Sequence, residues 1–283
     1  MSESVAVQEA VATAQPTPMT DLERELLRRL ETGRTALPVL PQVATMAVKL
    51  AGDPAANVEE LAKLVDTDPP IAARFLSVAN SAAYWRGFNT SNTQAAIVRL
   101  GLARTRDLLF QVVYANTTRG LKRYQSQVRA SFERSVRCAV ASRVVASTLG
   151  LPQEMDYMCG LLHDIGESRL YRILDSMSPQ PKNRAEVERL VQAYHCRAGA
   201  EVAMAWRLPA EIVDACAAHH DPEAAASSHV RMVMLADVVI DALTAPQRAR
   251  FEALGVDEGT ELMLMENFRR EERSSVRAAV VRT

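Results

Sequence analysis

The residues most able to do chemistry stand together at Leu161-Leu162-His163-Asp164-Ile165-Gly166, where a histidine and a carboxylate sit side by side between apolar neighbours. Burying two such polar groups without partners costs several kcal/mol, so the pair must be bonded to each other, to a metal or to some other buried group. A second acid, Asp237, lies in the middle of the apolar stretch from Val230 to Leu243. Three more histidines could join them. His195 stands near Tyr194 and Arg197, which reads as a partly exposed helix residue. His219-His220 closes a helix just before Asp221-Pro222, where imidazoles interact favourably with the helix dipole. His229 has no motif around it. The four cysteines, Cys138, Cys159, Cys196 and Cys216, show no C-x-x-C spacing and lie in apolar helical contexts, so reduced core thiols are expected.

The elements that must carry these residues are helices. Residues 1–18 lack periodicity and read as a disordered leader. Leu22, Leu26, Leu27 and Leu30 mark a helical face from Asp21 to about Gly33. Leu37-Pro38-Val39-Leu40-Pro41 then forms an extended entry to a helix carrying Val43, Met46 and Leu50, and Asn57 is a plausible cap for the next. Asp68-Pro69-Pro70 gives a cap with proline in the first turn, where a missing N–H costs nothing. Residues 119–125 are basic and poorly periodic, and divide a first helical lobe, 19–118, from a second, 126–283. In the second lobe long helices are expected from Ser126 to Leu149 and from Arg184 to Trp206. Pro152 opens the helix that leads into His163, Leu208-Pro209 starts one that ends at His219-His220, and a last helix covers Glu261 to Arg269. No alternation of the strand period persists, so the fold class is all-α.

Composition limits the function. With 283 residues and 48% hydrophobic content the chain can bury a sizeable core. Thirty-three Lys and Arg against thirty-four Asp and Glu leave a net charge of -1, so no global field draws it to nucleic acid or anionic membrane. The cluster Arg119, Lys122, Arg123 lacks the aromatic interleaving of a nucleic-acid groove. Arg99, Arg104, Arg106 and Asp107 read as a solvated helix face. No apolar run is long enough to span a bilayer, which with the thiols leads to the expectation of a cytoplasmic protein. Tyr84, Trp85 and Phe88 form an aromatic loop that either binds a partner or roofs the first lobe.

Several motifs in order resemble the HDOD domain, an output domain related to HD phosphohydrolases. They are Leu37-Pro38-x-Leu40-Pro41, Asp66-Thr67-Asp68-Pro69, Leu76-Ser77-Val78-Ala79-Asn80-Ser81 and Val98-Arg99-Leu100-Gly101, then the Gly160–Gly166 run, His195-Cys196-Arg197-Ala198-Gly199-Ala200, Trp206-x-Leu208-Pro209, His219-His220 and Ala236-Asp237. The resemblance implies a two-lobe helical architecture and a role in bacterial signal transduction. It also implies a metal site: in related phosphohydrolases a histidine from one helix, the His-Asp pair and a later aspartate hold a divalent ion that activates water. Here those positions correspond to His163, Asp164 and Asp237, with His195, His219 and His220 at the places that serve a second metal. The first histidine is replaced by Arg134, which stays protonated and cannot ligate a metal. Its guanidinium is expected to bridge Asp164 and Asp237. Glu167 stands where active relatives carry a lysine, and Asp221-Pro222-Glu223-Ala224 lacks the Gly-Tyr-Pro that follows the histidine pair in cyclic-dinucleotide phosphodiesterases.

The expected function is therefore a non-catalytic signalling or scaffolding module without cofactor, a stand-alone adaptor that binds a signalling protein or a small ligand such as a nucleotide. Its HD pocket, Arg134, His163, Asp164, Glu167 and Asp237, would be vestigial. Two alternatives remain beside it: a divalent-metal phosphohydrolase acting on a nucleotide or cyclic dinucleotide through His163, Asp164 and Asp237, and a sensor in which Arg134 holds an anion.

Overall fold

A computed structural model describes residues 19–32 and 58–279 of the chain. The expected leader, the Leu37–Pro41 entry, the helix around Met46 and the Asn57 cap lie outside the described residues. Among the described residues the architecture is helical throughout, with a single 3-10 turn at Pro222–Ala226 and no strand.

Helix α1 (Asp21–Thr32) packs on helices of the second lobe, and the first lobe contains α2 (Val58–Asp66), α3 (Pro69–Ala79), α4 (Thr93–Leu100) and α5 (Leu102–Thr117). Helices α2, α3 and α4 pack on one another, and α5 reaches toward the second lobe. The start of α3 follows from its sequence: the Asp68 carboxylate accepts from the Ile71 N–H at 3.2 Å, and Pro69 and Pro70 open the first turn. Ile71, Phe75 and Val78 on one face of α3 are buried with Ile97 of α4.

The second lobe is built on α6 (Gln125–Leu149), closed by Gly150. Packed against it are α7 (Asp156–Leu162), α11 (Ser228–Asp241) and the long α13 (Glu258–Ala279). A second layer holds α8 (Ile165–Ser176), α9 (Arg184–Ala205) and α10 (Ala210–Ala218), with α9 contacting both α8 and α10. The helix expected to open at Pro152 begins at Asp156 instead. A short helix not expected from the sequence, α12 (Arg248–Ala253), buries Phe251, and α13 extends beyond both ends of the expected segment.

One apolar core runs through both lobes, from Leu61 and Phe75 through Tyr114 and Cys138 to Phe251 and Phe268. A smaller core joins α1 to α8 and α9 through Leu26, Leu30, Leu170 and Leu190. Glu23 of α1 is held there by Arg189 at 3.0 Å and by the Tyr194 hydroxyl at 2.6 Å. All four cysteines are free.

The charged group expected on a solvated face is buried in part. Asp107 is 3% exposed and accepts from Arg106 at 3.0 Å and from Arg143 of α6 at 2.5 Å. Arg99 is half-buried, donating to the Phe88 carbonyl at 2.9 Å and lying over the Phe88 ring. Amphipathic spacing located the apolar face of these helices but could not reveal that α6 and the 84–90 loop cover the other one.

Candidate functional site

The His163-Asp164 pair sits at the junction of α7 and α8, where the chain bends between two short helices. Two glycines permit the close approach of the neighbouring elements. A Cβ on Gly166 would collide with the His195 carbonyl oxygen and lie 2.5 Å from the Gly199 nitrogen, so α8 meets α9 backbone to backbone. A Cβ on Gly160 would lie 2.7 Å from the Cys138 carbonyl oxygen, which draws α7 onto α6 in the same way. These crossings deliver His195 from α9 and the α6 residues to the pair.

His163 is fully buried. Its Nδ1–H donates to the Gly160 carbonyl at 2.9 Å, which directs Nε2 toward two carboxylates, Asp164 Oδ2 at 3.0 Å and Asp237 Oδ1 at 3.5 Å. Burial opposes the charged imidazole, but the two carboxylates outweigh it and hold the His163 pKa well above its ordinary value. The same attraction, against burial, holds Asp164 and Asp237 below the usual carboxylate range. The other oxygen of Asp164 faces the second histidine set: His219 Nε2 lies 3.2 Å and His195 Nε2 3.5 Å from Oδ1. From the first lobe, the Tyr114 hydroxyl donates to the Asp164 backbone carbonyl at 3.4 Å. Four other helices, α5, α9, α10 and α11, thus converge on one dipeptide.

Arg134 of α6 stands at the edge of this cluster, about one third exposed. It does not bridge Asp164 and Asp237 as expected. Its fork spans two carboxylates on α11, Asp237 Oδ1 and Asp241 Oδ1, each at 2.9 Å. Positions 237 and 241 are one helical turn apart, so both project toward the same neighbour, and a single guanidinium reaches both. Asp241 was legible as the i+4 companion of Asp237 but carries no motif. Asp237 Oδ1 also accepts from the Cys138 thiol at 3.0 Å, and burial keeps that thiol protonated by pushing its pKa far up.

His195 is 1% exposed rather than partly exposed, because the Gly166–Gly199 crossing seals α9 against α8. Its Nε2 lies 3.3 Å from His219 Nε2, and the His220 ring meets the His195 ring edge-on, with centroids 5.0 Å apart. His219 is a helix cap, as expected, but its Nδ1–H donates to Ala215 and its Nε2 turns inward to Asp164. Cys196 is not a core thiol. It is half-buried with Sγ 3.4 Å from His195 Nε2, and although burial pushes its pKa up, hydrogen bonds from His195 and His219 bring it down to about 6. Burial lowers His219 as well, but Asp164 and Cys196 outweigh it and raise it to about 9. Burial and the neighbouring imidazoles take His220 down to about 4.

Two sets of these atoms could hold a cation. Donor atoms of His163, Asp164 and His219 lie within 4.8 Å of one another, and so do those of His195, Cys196, His219 and His220. The first set fits a divalent ion in a specific respect: His163 Nε2 and Asp164 Oδ1 are buried without an aligned hydrogen bond, so their contacts are charge pairs that an ion between them would satisfy. The set Cys138, His163 and Asp237 is equally close but is already joined by the thiol's hydrogen bond. Glu167 is half-buried beside the pair, and burial together with the Asp164 charge raises its pKa. Tyr84, Trp85 and Phe88 lie apart from this site. Tyr84 packs on the main core, whereas Trp85 and Phe88 are exposed.

Comparison with known proteins agrees with this architecture. The chain is 29% identical over 119 residues to ribonuclease Y of Deinococcus radiodurans and 31% identical over 118 residues to that of Thermus thermophilus. Each match covers 42% of this chain and less than a fifth of the relative, 18% and 17% respectively. Among solved structures, an HDOD domain protein of unknown function from Geobacter sulfurreducens aligns over 92% of this chain and 98% of its own, at 25% identity and a TM-score of 0.64. A candidate metal-dependent phosphohydrolase from Shewanella amazonensis shares the fold at 20% identity and a TM-score of 0.68, covering 88% of this chain and 97% of that one. No helix among the described residues is long and apolar enough to cross a membrane. The HDOD domain pattern matches residues 37–222, two thirds of the sequence, and the chain belongs to the HDOD domain family.

Proposed function

We propose that this HDOD protein is a non-catalytic signalling module in which the HD site is a structural junction. The observation that carries the reading is the Arg134 fork on Asp237 and Asp241. A fixed guanidinium occupies the position from which a first histidine would reach a metal, and it takes the oxygen of Asp237 that faces His163. An ion bound there would meet the like charge of Arg134 within a few ångströms, and such repulsion amounts to several kcal/mol at an effective dielectric near 20. With the guanidinium in place, the protonated His163 between Asp164 and Asp237 serves as the cation of the site.

The second reading, a metal-dependent phosphohydrolase, is favoured by one observation. His163 Nε2 and Asp164 Oδ1 are buried and lack aligned hydrogen bonds, as ligands awaiting an ion would. Elemental analysis of the purified protein, with a phosphatase and phosphodiesterase screen in added manganese, separates the two. The signalling reading expects well under one equivalent of divalent metal and no turnover. A full equivalent of metal together with turnover abolished by Asp164→Ala would replace it with the enzymatic one.

A further inference from the structure

Away from the histidine cluster, a cavity of about 370 Å³ opens where α3 and α5 of the first lobe face α6, α7 and α13 of the second. Ligand pockets span roughly 300–1,000 Å³, so this one suits a ligand of one ring system and a head group rather than a dinucleotide. It shares no lining residue with the His163-Asp164 site. A ligand in this cavity binds independently of whether that site turns over substrate.

The lining divides by chemistry. Val78, Leu108, Val140 and Phe268 supply an apolar wall, and Tyr84 and Tyr157 add aromatic surface. Four arginines face three carboxylates. Arg143 is fixed by Asp107 and lies over the Tyr157 ring, 4.5 Å from its centroid, and Arg137 is tied to Glu272 at 2.7 Å. Asp107 already serves Arg106 and Arg143. Arg104 differs from these: it is half-buried in the wall with no hydrogen bond or ion pair among the described residues. Arg74, also half-buried, lines the same cavity with an interaction of its own, and the charge of Arg104 acts on Asp107, Asp156 and Tyr157. A half-buried guanidinium without a hydrogen-bonded acceptor, beside an apolar wall, is stabilised most by an anion that brings several acceptor oxygens. Glu272 comes from α13, where the carboxylate oxygen not bonded to Arg137 can accept from a sugar hydroxyl.

We propose that this interlobe cavity binds a small aromatic phosphate of nucleoside-monophosphate size, with the phosphate on Arg104 and the ring on Tyr84 and the apolar wall. A ligand seated there touches both lobes, so its binding energy is available to bias their arrangement.

The test is isothermal titration of the intact chain with AMP and GMP, with adenosine, guanosine and inorganic phosphate as comparators. One monophosphate is expected to bind below about 1 mM, its nucleoside at least about tenfold more weakly. Arg104→Ala is expected to weaken the monophosphate by about tenfold or more while the circular dichroism spectrum and melting temperature stay unchanged. Should that variant fail to fold, Ala83→Trp at the exposed rim decides in its place by filling the cavity. No monophosphate binding up to about 1 mM, or binding indifferent to the variant, overturns the proposal. Release of phosphate from AMP or GMP would overturn the non-catalytic reading instead, and this site would stand if Arg104→Ala still lowered affinity.

Discussion

At the scale of the residue, Arg134 sets the character of the site. Its guanidinium joins two carboxylates of α11, one buried and one about a third exposed. Removing one partner of a buried pair costs roughly 3–5 kcal/mol, but Arg134 keeps about a third of its side chain in water and the loss is smaller. Arg134→Ala is expected to lower unfolding stability by about 1–3 kcal/mol in urea titrations, and a loss within error of zero would show that the fork carries no weight. Arg134→His is the sharper substitution. It removes the fixed charge and supplies a lone pair beside Asp237, so equilibrium dialysis with manganese is expected to give about one bound ion where the parent chain binds substoichiometrically. If the variant binds no more metal than the parent, the charge of Arg134 is not what excludes an ion.

At the scale of the element, two contacts decide how helices meet. The α8–α9 crossing depends on Gly166, because a Cβ there would collide with backbone atoms of His195 and Gly199 that cannot move independently of α9. Overpacking commonly costs about 1–3 kcal/mol and more when backbone must shift, so Gly166→Ala is expected to destabilise the protein by about 3 kcal/mol or more, read as a lowered melting temperature. A variant that melts with the parent would mean that the crossing is loose. The docking of α1 depends on Glu23, whose pKa is lowered from 4.5 by hydrogen bonds from Arg189 and Tyr194 against the effect of burial. A carboxylate lowered on folding stabilises the native state above its unfolded pKa, and that contribution is lost as pH falls below about 4.5. Glu23→Gln is expected to lower stability by about 0.5–1 kcal/mol at pH 7 and to converge with the parent as the solution is acidified, measured by urea denaturation across pH. Parallel pH profiles for the two would exclude this role.

At the scale of the whole molecule, the two lobes share one core from Leu61 to Phe268, and Tyr114 crosses from α5 to the Asp164 carbonyl. A core in common favours joint unfolding, although chains of this length often pass through intermediates when their domains are separate. The two tryptophans provide the test, since Trp85 lies exposed in the first lobe and Trp206 is buried in the second. With Trp85→Phe leaving Trp206 as the single probe, its fluorescence transition in urea is expected to coincide with the helical transition by circular dichroism. A fluorescence midpoint well separated from the circular dichroism midpoint would show that the lobes unfold independently.

The sequence by itself determined the helical class, the cap at Asp68, the span of α6 to within one residue, and the ordered motifs that mark the family. These are local properties: a 3.6-residue period and a capping carboxylate act within a turn or two of chain, so they can be read along it. It also put His163, Asp164 and Asp237 forward as one group, through the resemblance rather than through spacing. Only the tertiary structure decided which partner each of them takes. Arg134 reaches Asp241 and not Asp164 because α6 and α11 pack side by side with one face of α11 turned to it. His195 and Cys196 enter the cluster because two glycines let α8 and α9 touch at the backbone. Asp107, which periodicity put on a wet face, is covered by Arg143 from a helix 36 residues away. Long-range packing chooses among the partners that local chemistry allows, and the period of a single helix carries no record of what covers its polar face.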